Sequence, residues 1–410
     1  MAAKERSDRK IYTPGNFNRE SADAVVIGGG IIGVATAFWL SRAGFSTIVV
    51  EMRDGLSTLT TTASIESFRA QFTEPAMAAL AKESIQVWEN FAEVTGLEGY
   101  EIDLHHGGYL FLTTEADLVA DVRSTVEGYH KVGVTDSEFL TGDEVLNRWP
   151  WLAPGIEAAA YRAKDGWFSA HEVTQGFARA ADNARFYLRT RATGIETDGR
   201  GVCAVLTDRG RIDTRVVVNA AGPFAITVGK WVGLELPIYQ MRRQRVFVAP
   251  QPQIPSDAPL VMDVDNESYW RPETGGALLG WHDPEEQKSA PLEDPQGDWD
   301  FPAMTLEKVS RLSPFWQEVV ENLKQEDLSV YAGQYVHTPD DQPIIGPVPE
   351  VPGLFLNCAY WPGVMLSAAA GRWTCDLITG KMKPQDNPLR LSRFEEGIET
   401  APGALMRGRH

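Results

Sequence analysis

A chain of 410 residues has room for two or three domains, each with a buried core of its own. Its 43% hydrophobic and 23% charged residues argue against disorder, collagen or coiled coil as the main architecture. A net charge of -18 is repelled by phosphate backbones and anionic lipid surfaces, so nucleic acid is not an expected partner.

Three cysteines, Cys203, Cys358 and Cys375, form no CxxC pair and no zinc or disulfide spacing. That usage fits a reducing, cytoplasmic setting and no metal site, and the adjacent His105 and His106 lack the spacing for one. The apolar runs fall short of a membrane span.

In chain order, residues 1–21 carry charge without an apolar pattern and read as a flexible arm. ADAVVIGGGIIGVATAFWLSRAGFSTIVVE, residues 22–51, is a β-branched run, a glycine cluster, a helical stretch and a second β-branched run: one βαβ unit. A Thr-rich loop, 55–64, precedes a helix over about 75–91. Residues 101–150 hold a strand (GGYLFLTT) and a helix opening at Glu115, and the prolines of WPWLAPG mark a domain crossing. A helix over about 171–183 leads to alternating strands and then VVVNAAGPFA. Residues 236–300 read as short strands, with an exposed acidic loop at 284–302. The last block is a strand, a glycine turn and a small-residue helix ending at Gly380.

Gly28, Gly30 and Gly33 form GxGxxG between the first strand and the helix, the context that gives this short pattern weight. Gly28 serves the tight turn, Gly30 lets a pyrophosphate approach, and Gly33 lets helix and strand pack. Glu51 ends the second strand near the spacing, about 20 residues, at which a carboxylate accepts a ribose hydroxyl. An ADP-containing cofactor follows; these residues alone do not separate FAD from NAD.

Three further stretches bear on it: NAAGPF at 219–224, YWRPETGG at 269–276 and AGQYVHTPDDQPIIGPVPEVPGLF at 332–355. With the fingerprint, they make the chain resemble the D-amino-acid oxidase-like FAD family that includes glycine oxidase, sarcosine oxidase and dimethylglycine dehydrogenase. The resemblance runs from about Asp23 to Gly380. It implies FAD held by Gly28, Gly30, Ile31, Ile32, Gly33, Glu51, Met52, Thr61, Thr62, Ala63, Ser64, Ala192, Ala221, Gly222, Pro362, Gly363, Val364, Met365 and Leu366.

It also places Arg69 on a carboxylate-gripping arginine, and His282 and Tyr335 on an active-site histidine and tyrosine. Gly333 stands where sarcosine oxidase has its flavin-tethering cysteine, which implies FAD bound without a covalent link. Leu278 replaces a lysine credited with activating oxygen, and Met365 a second carboxylate-binding lysine. Read from the residues alone, Arg69 is either a carboxylate fork or the partner of Glu66 on one helical turn. His282 is a proton acceptor or a structural histidine, and Tyr335 a substrate wall or a core aromatic. Trp361 sits in the turn that could cover the flavin, although many tryptophans of this chain must be core.

The expected fold is therefore α/β: a Rossmann-like FAD domain of the glutathione-reductase type, with a substrate domain on a mostly antiparallel or mixed sheet. The FAD domain takes 22–95, 160–230 and 335–385, the substrate domain 96–159 and 231–334, and 386–410 forms a tail. The expected activity is oxidation of the C–N bond of a small amino acid or N-methyl amino acid, with hydride transfer to the flavin and hydrolysis of the imine. Two alternatives stand beside it: the flavin subunit of a heteromeric dye-linked amino-acid or opine dehydrogenase, and a non-catalytic assembly factor. A partner subunit or homo-oligomer is compatible with either.

Overall fold

The computed structural model describes residues 10–397. The parts of the expected arm and tail at 1–9 and 398–410 lie outside the described residues.

The first β-branched runs become Ala24–Ile27 and Thr47–Val50, every residue buried. Strands covered on both faces read as continuous apolar runs because neither side meets water. They sit inside a seven-stranded sheet ordered Ile11–Tyr12, Ala184–Tyr187, Thr47–Val50, Ala24–Ile27, Val217–Asn219, Leu354–Cys358, Ile344–Pro347. All neighbours are parallel except the last pair. Strands from three distant parts of the chain thus build one sheet.

One layer of that sheet is held by helices Ile31–Arg42, Pro75–Glu89, Ala170–Ala180 and Gly363–Ile378. The first and last approach closely: a Cβ on Gly371 would lie 2.8 Å from the backbone carbon of Ala35. Trp39 Nε1 donates to the Ala368 carbonyl at 2.9 Å, and Asn357 Nδ2 to Thr36 Oγ1 at 2.9 Å. These contacts fix the glycine turn before Gly363 beside the glycine-rich turn after Ile27.

A nine-stranded mixed sheet forms the other layer, running from Glu138–Thr141 to Lys288–Ser289 with Leu328–His337 paired to Tyr239–Val248. Its pairs are antiparallel apart from Leu260–Asp263 with Tyr109–Thr113. The α/β architecture with a second, mixed sheet agrees with the sequence reading.

One expectation and one alternative fail. Residues 11–12 and 19–21 are strands, not an arm: Ile11–Tyr12 extends the parallel sheet and Arg19–Ser21 pairs with Gly210–Asp213. Tyr12 and Phe17 pack on Tyr187, with ring centres 5.3 and 6.1 Å away, which gives this charged segment an apolar anchor. Residues 66–69 are not a helical turn either. Ser67–Phe68 pairs with Gly166–Trp167, and Glu66 has φ of 56°. The Glu66–Arg69 pairing therefore does not form, and Glu66 lies 3.8 Å from Arg245 instead. Beyond 385 the chain is anchored at Leu389 and Arg393, the latter bonded to Asp340 at 2.8 Å.

Candidate active site

The glycine-rich turn is sterically dictated. Gly28 has φ of 112°, and a Cβ there would lie 2.4 Å from the Ala220 carbonyl oxygen. A Cβ on Gly33 would lie 2.0 Å from the Gly28 carbonyl oxygen, so helix and turn touch there. Gly30 differs: its nearest neighbour would be Thr61 Oγ1 at 3.7 Å, leaving free space at the start of helix Ile31–Arg42, where Ile31 N makes one long bond to Thr61 Oγ1 at 3.4 Å. Open backbone N–H groups beside such space suit a pyrophosphate.

That space belongs to a cavity of about 510 Å³. Of the residues that the resemblance marks for FAD, Gly28, Gly30, Ile31, Ile32, Glu51, Met52, Thr61, Ser64, Ala192, Ala221, Gly222, Pro362, Gly363, Val364 and Met365 border it. Gly33, Thr62, Ala63 and Leu366 do not. Gly33 serves packing, Leu366 is in the helix core, and Thr62 turns inward to the Leu59 carbonyl at 3.0 Å. Ala63 packs where a Cβ on Gly333 would come within 2.9 Å.

Glu51 accepts from Gly29 N at 2.7 Å and Arg53 N at 2.8 Å, one bond to each carboxylate oxygen. Each oxygen keeps a lone pair for a ribose hydroxyl. Burial pushes its pKa up, against these N–H bonds. At the same end, the acidic loop is less free than expected: the Glu293 carbonyl accepts from Arg53 at 2.6 Å and its carboxylate from Arg191 at 2.8 Å. Cys358 also borders the cavity, and burial pushes its thiol up to about 12. The cavity thus fits an ADP-containing dinucleotide cofactor.

A second cavity, about 550 Å³, adjoins the first, and Arg69, Met262, His282, Tyr335 and Trp361 border both. The three catalytic candidates therefore meet at the junction. Arg69 follows the short strand Ser67–Phe68, and its stretch is pinned by buried Asp165, which accepts from Ala70 N at 2.9 Å and Gln71 Nε2 at 3.1 Å. The guanidinium is 2% exposed, lies 4.0 Å over the Phe72 ring and donates through Nη1 to the Gln71 carbonyl. Nη2 is buried without a hydrogen bond, and no carboxylate among the described residues is within ion-pair distance of Arg69.

His282 Nδ1 lies 3.3 Å from Glu267 Oε2, and its ring meets Tyr269 edge-on at 5.6 Å. Burial depresses its pKa, with the Glu267 hydrogen bond opposing. Tyr335 comes from strand Leu328–His337, and burial raises its pKa. Leu278 is buried and borders neither cavity.

Sequence reasoning assigned no role to Tyr109 and Tyr269, which border the first cavity, nor to Arg243 and His337, which border the second. Tyr269 opens the YWRPETGG run, so a signal was present. Arg243 gave none, being the middle of an ordinary charged stretch.

A glycine-rich βαβ unit opening into a buried cavity, with a buried arginine at its far end, defines a dinucleotide-binding class of protein. The family model described as "DAO: FAD dependent oxidoreductase" matches residues 23–377, and the chain belongs to that family. Among similar proteins, dimethylglycine dehydrogenase of Rattus norvegicus is 24% identical over 388 residues, covering 90% of this chain and 44% of that protein. FAD-dependent oxidoreductase domain-containing protein 1 of Xenopus laevis is 26% identical, covering 91% and 82%. The crystal structure of L-proline dehydrogenase from P. horikoshii superimposes with a TM-score of 0.81 at 26% identity, covering 92% of this chain and 99% of that one. The chain spans less than half the length of the dimethylglycine dehydrogenases it matches. The chain is thus a member of an FAD-dependent oxidoreductase family. Among the described residues, no helix is long and apolar enough to cross a membrane.

Proposed function

We propose that the chain oxidises the C–N bond of a small amino acid or N-methyl amino acid, of the sarcosine, glycine or proline type, using FAD bound without a covalent link. The reading keeps the division into an FAD domain (22–95, 160–230, 335–385) and a substrate domain (96–159, 231–334). The observation that carries it is the Arg69 guanidinium, buried at the cavity junction with a nitrogen lacking a partner. Removing such a charge from water costs several kcal/mol unless an anion compensates, roughly as for a buried ion left unpaired. A carboxylate compensates best, since its two oxygens match the planar fork.

The remaining groups suit the amine. His282, held neutral by burial near pH 7, accepts the proton that a substrate ammonium must lose before oxidation. Tyr335 and Trp361 wall the junction and orient the carbon–nitrogen bond. Bound FAD supplies the hydride acceptor. The imine product hydrolyses in water.

Turnover with an artificial dye, followed by product analysis, tests the reading. Formation of a 2-oxo acid with ammonia or methylamine marks oxidation at the α-carbon, and formaldehyde marks oxidation at the N-methyl carbon. A bound flavin with no carbonyl product from any amine would favour the non-catalytic alternative. Copurifying partner chains would favour the heteromeric dehydrogenase.

A further inference from the structure

Arg243 is 7% exposed and borders the second cavity but not the nucleotide cavity. Its strand, Tyr239–Val248, pairs Arg243 with Gly333 and Met241 with Tyr335 on one side, and Arg245 with Gly280 on the other. Residues two apart on a strand share a face, as do directly paired residues across strands. Arg243 therefore shares a face with Tyr335 and stands beside the strand end that delivers His282. Its charge acts on both, opposing protonation of His282 and favouring ionisation of Tyr335.

Most of the surrounding charges are matched elsewhere; Glu74, which also borders the cavity, is in no ion pair among the described residues and accepts from Thr73 Oγ1 at 3.0 Å. Arg242 pairs with Glu286 at 3.0 Å and Asp298 at 2.6 Å. His337 pairs with Asp341 at 2.8 Å, Asp340 with Arg393 at 2.8 Å, and Glu267 lies 3.3 Å from His282. Arg243 has no such partner among the described residues. Its hydrogen bonding is limited to one long contact, Nη1 to the Arg242 carbonyl at 3.4 Å, and Nε is buried without a partner. Two guanidinium groups, Arg69 and Arg243, thus border one cavity with no carboxylate paired to either. Each pays desolvation, and they repel one another.

We propose that Arg243 binds a second anionic group of the substrate, so that the preferred substrates are dicarboxylic amino acids or N-carboxyalkyl amino acids. One carboxylate engages Arg69, the other Arg243, and the amine lies between them at His282 and Tyr335. This inference rests on the reading of Arg69 as a carboxylate anchor.

Anaerobic titrations of the flavin-loaded protein test it, using L-aspartate, L-glutamate and N-(carboxymethyl)alanine against glycine, sarcosine, L-alanine and L-proline. At least one dicarboxylate should reduce the flavin with an apparent affinity tenfold or more tighter than any monocarboxylate. Arg243→Met should shrink that ratio at least tenfold, and Arg243→Lys should restore part of it. A purely structural role would weaken both classes alike and leave the ratio intact, which would overturn the proposal. Should Arg243→Met fail to fold, perturbation of the wild-type flavin spectrum by glutarate against butyrate decides: tighter glutarate supports the proposal, and equal binding overturns it. A flavin reduced by monocarboxylates alone would sink this inference and leave the proposed function standing. A flavin that no amine reduces would remove both.

Discussion

The guanidinium carbon of Arg69 lies 5.8 Å from the ring centre of Trp361, and both side chains border the nucleotide cavity and the cavity beyond it. Trp361 is held in place by its indole N–H, which donates to the Asp341 carbonyl at 2.9 Å. Cation and indole together form one wall of the junction, with the ring face favouring the guanidinium position.

Removing the cation should therefore act on ligand binding more than on folding. Arg69→Ala is expected to weaken a carboxylate substrate by about 1.5–3 kcal/mol, roughly ten- to hundredfold. Arg69 forms no ion pair among the described residues, so the melting temperature should shift little. Substrate titration beside thermal unfolding checks this; unchanged titrations would move the anchoring role elsewhere.

The glycines of the first turn should separate by role. Gly30→Ala places a methyl in space that the protein leaves open, so the apoprotein should unfold as the wild type does while FAD retention on gel filtration falls. Gly33→Ala drives a Cβ into the Gly28 carbonyl oxygen and should cost about 1–3 kcal/mol of stability, as overpacking does. Equal FAD retention in wild type and Gly30→Ala would mean that the pyrophosphate lies elsewhere.

His282 sets an expected pH dependence. Burial lowers its pKa below the ordinary 6.5, so the neutral ring persists to a lower pH than usual. The acid limb of kcat/KM should be centred below pH 6.5 and disappear in His282→Asn. By linkage, a histidine whose folded pKa is depressed lowers stability as pH falls through its unfolded value, about 6.5, because the unfolded chain takes up the proton first. An acid limb surviving in His282→Asn would assign it to another group.

Much of this was legible in sequence because it is local. The GxGxxG turn is a contiguous stretch whose glycines each answer a steric demand, and Gly28 and Gly33 meet the carbonyls of Ala220 and Gly28 as that demand requires. What the residues alone left open was set by distant strands. Glu66 and Arg69 have helical spacing, but Gly166–Trp167 recruits the residues between them into a sheet. Tyr12 and Phe17 look like decoration on a charged arm until Tyr187 arrives from far along the chain. Arg243 carries no local signal; it is buried in the sheet where its strand pairs with Leu328–His337, opposite Gly333.

The proposal that FAD is bound without a covalent link draws on similar geometry. A side chain at 333 would meet Ala63 and Thr60, and the cavity-facing thiol of Cys358 is kept protonated by burial. Acid precipitation should release the yellow colour into the supernatant; colour in the pellet would show a link through another residue.

The central claim is that an amino acid, held by its carboxylate at Arg69, delivers its electrons to the bound flavin. Anaerobic mixing of the yellow protein with amino acids, N-methyl amino acids and the matching amines without a carboxylate tests it, read at the flavin absorbance. The account predicts bleaching by at least one carboxylate-bearing compound, little or none by its decarboxylated counterpart, and loss of that preference in Arg69→Ala. Equal bleaching by compounds with and without a carboxylate, or a flavin that stays oxidised with all of them, would contradict it.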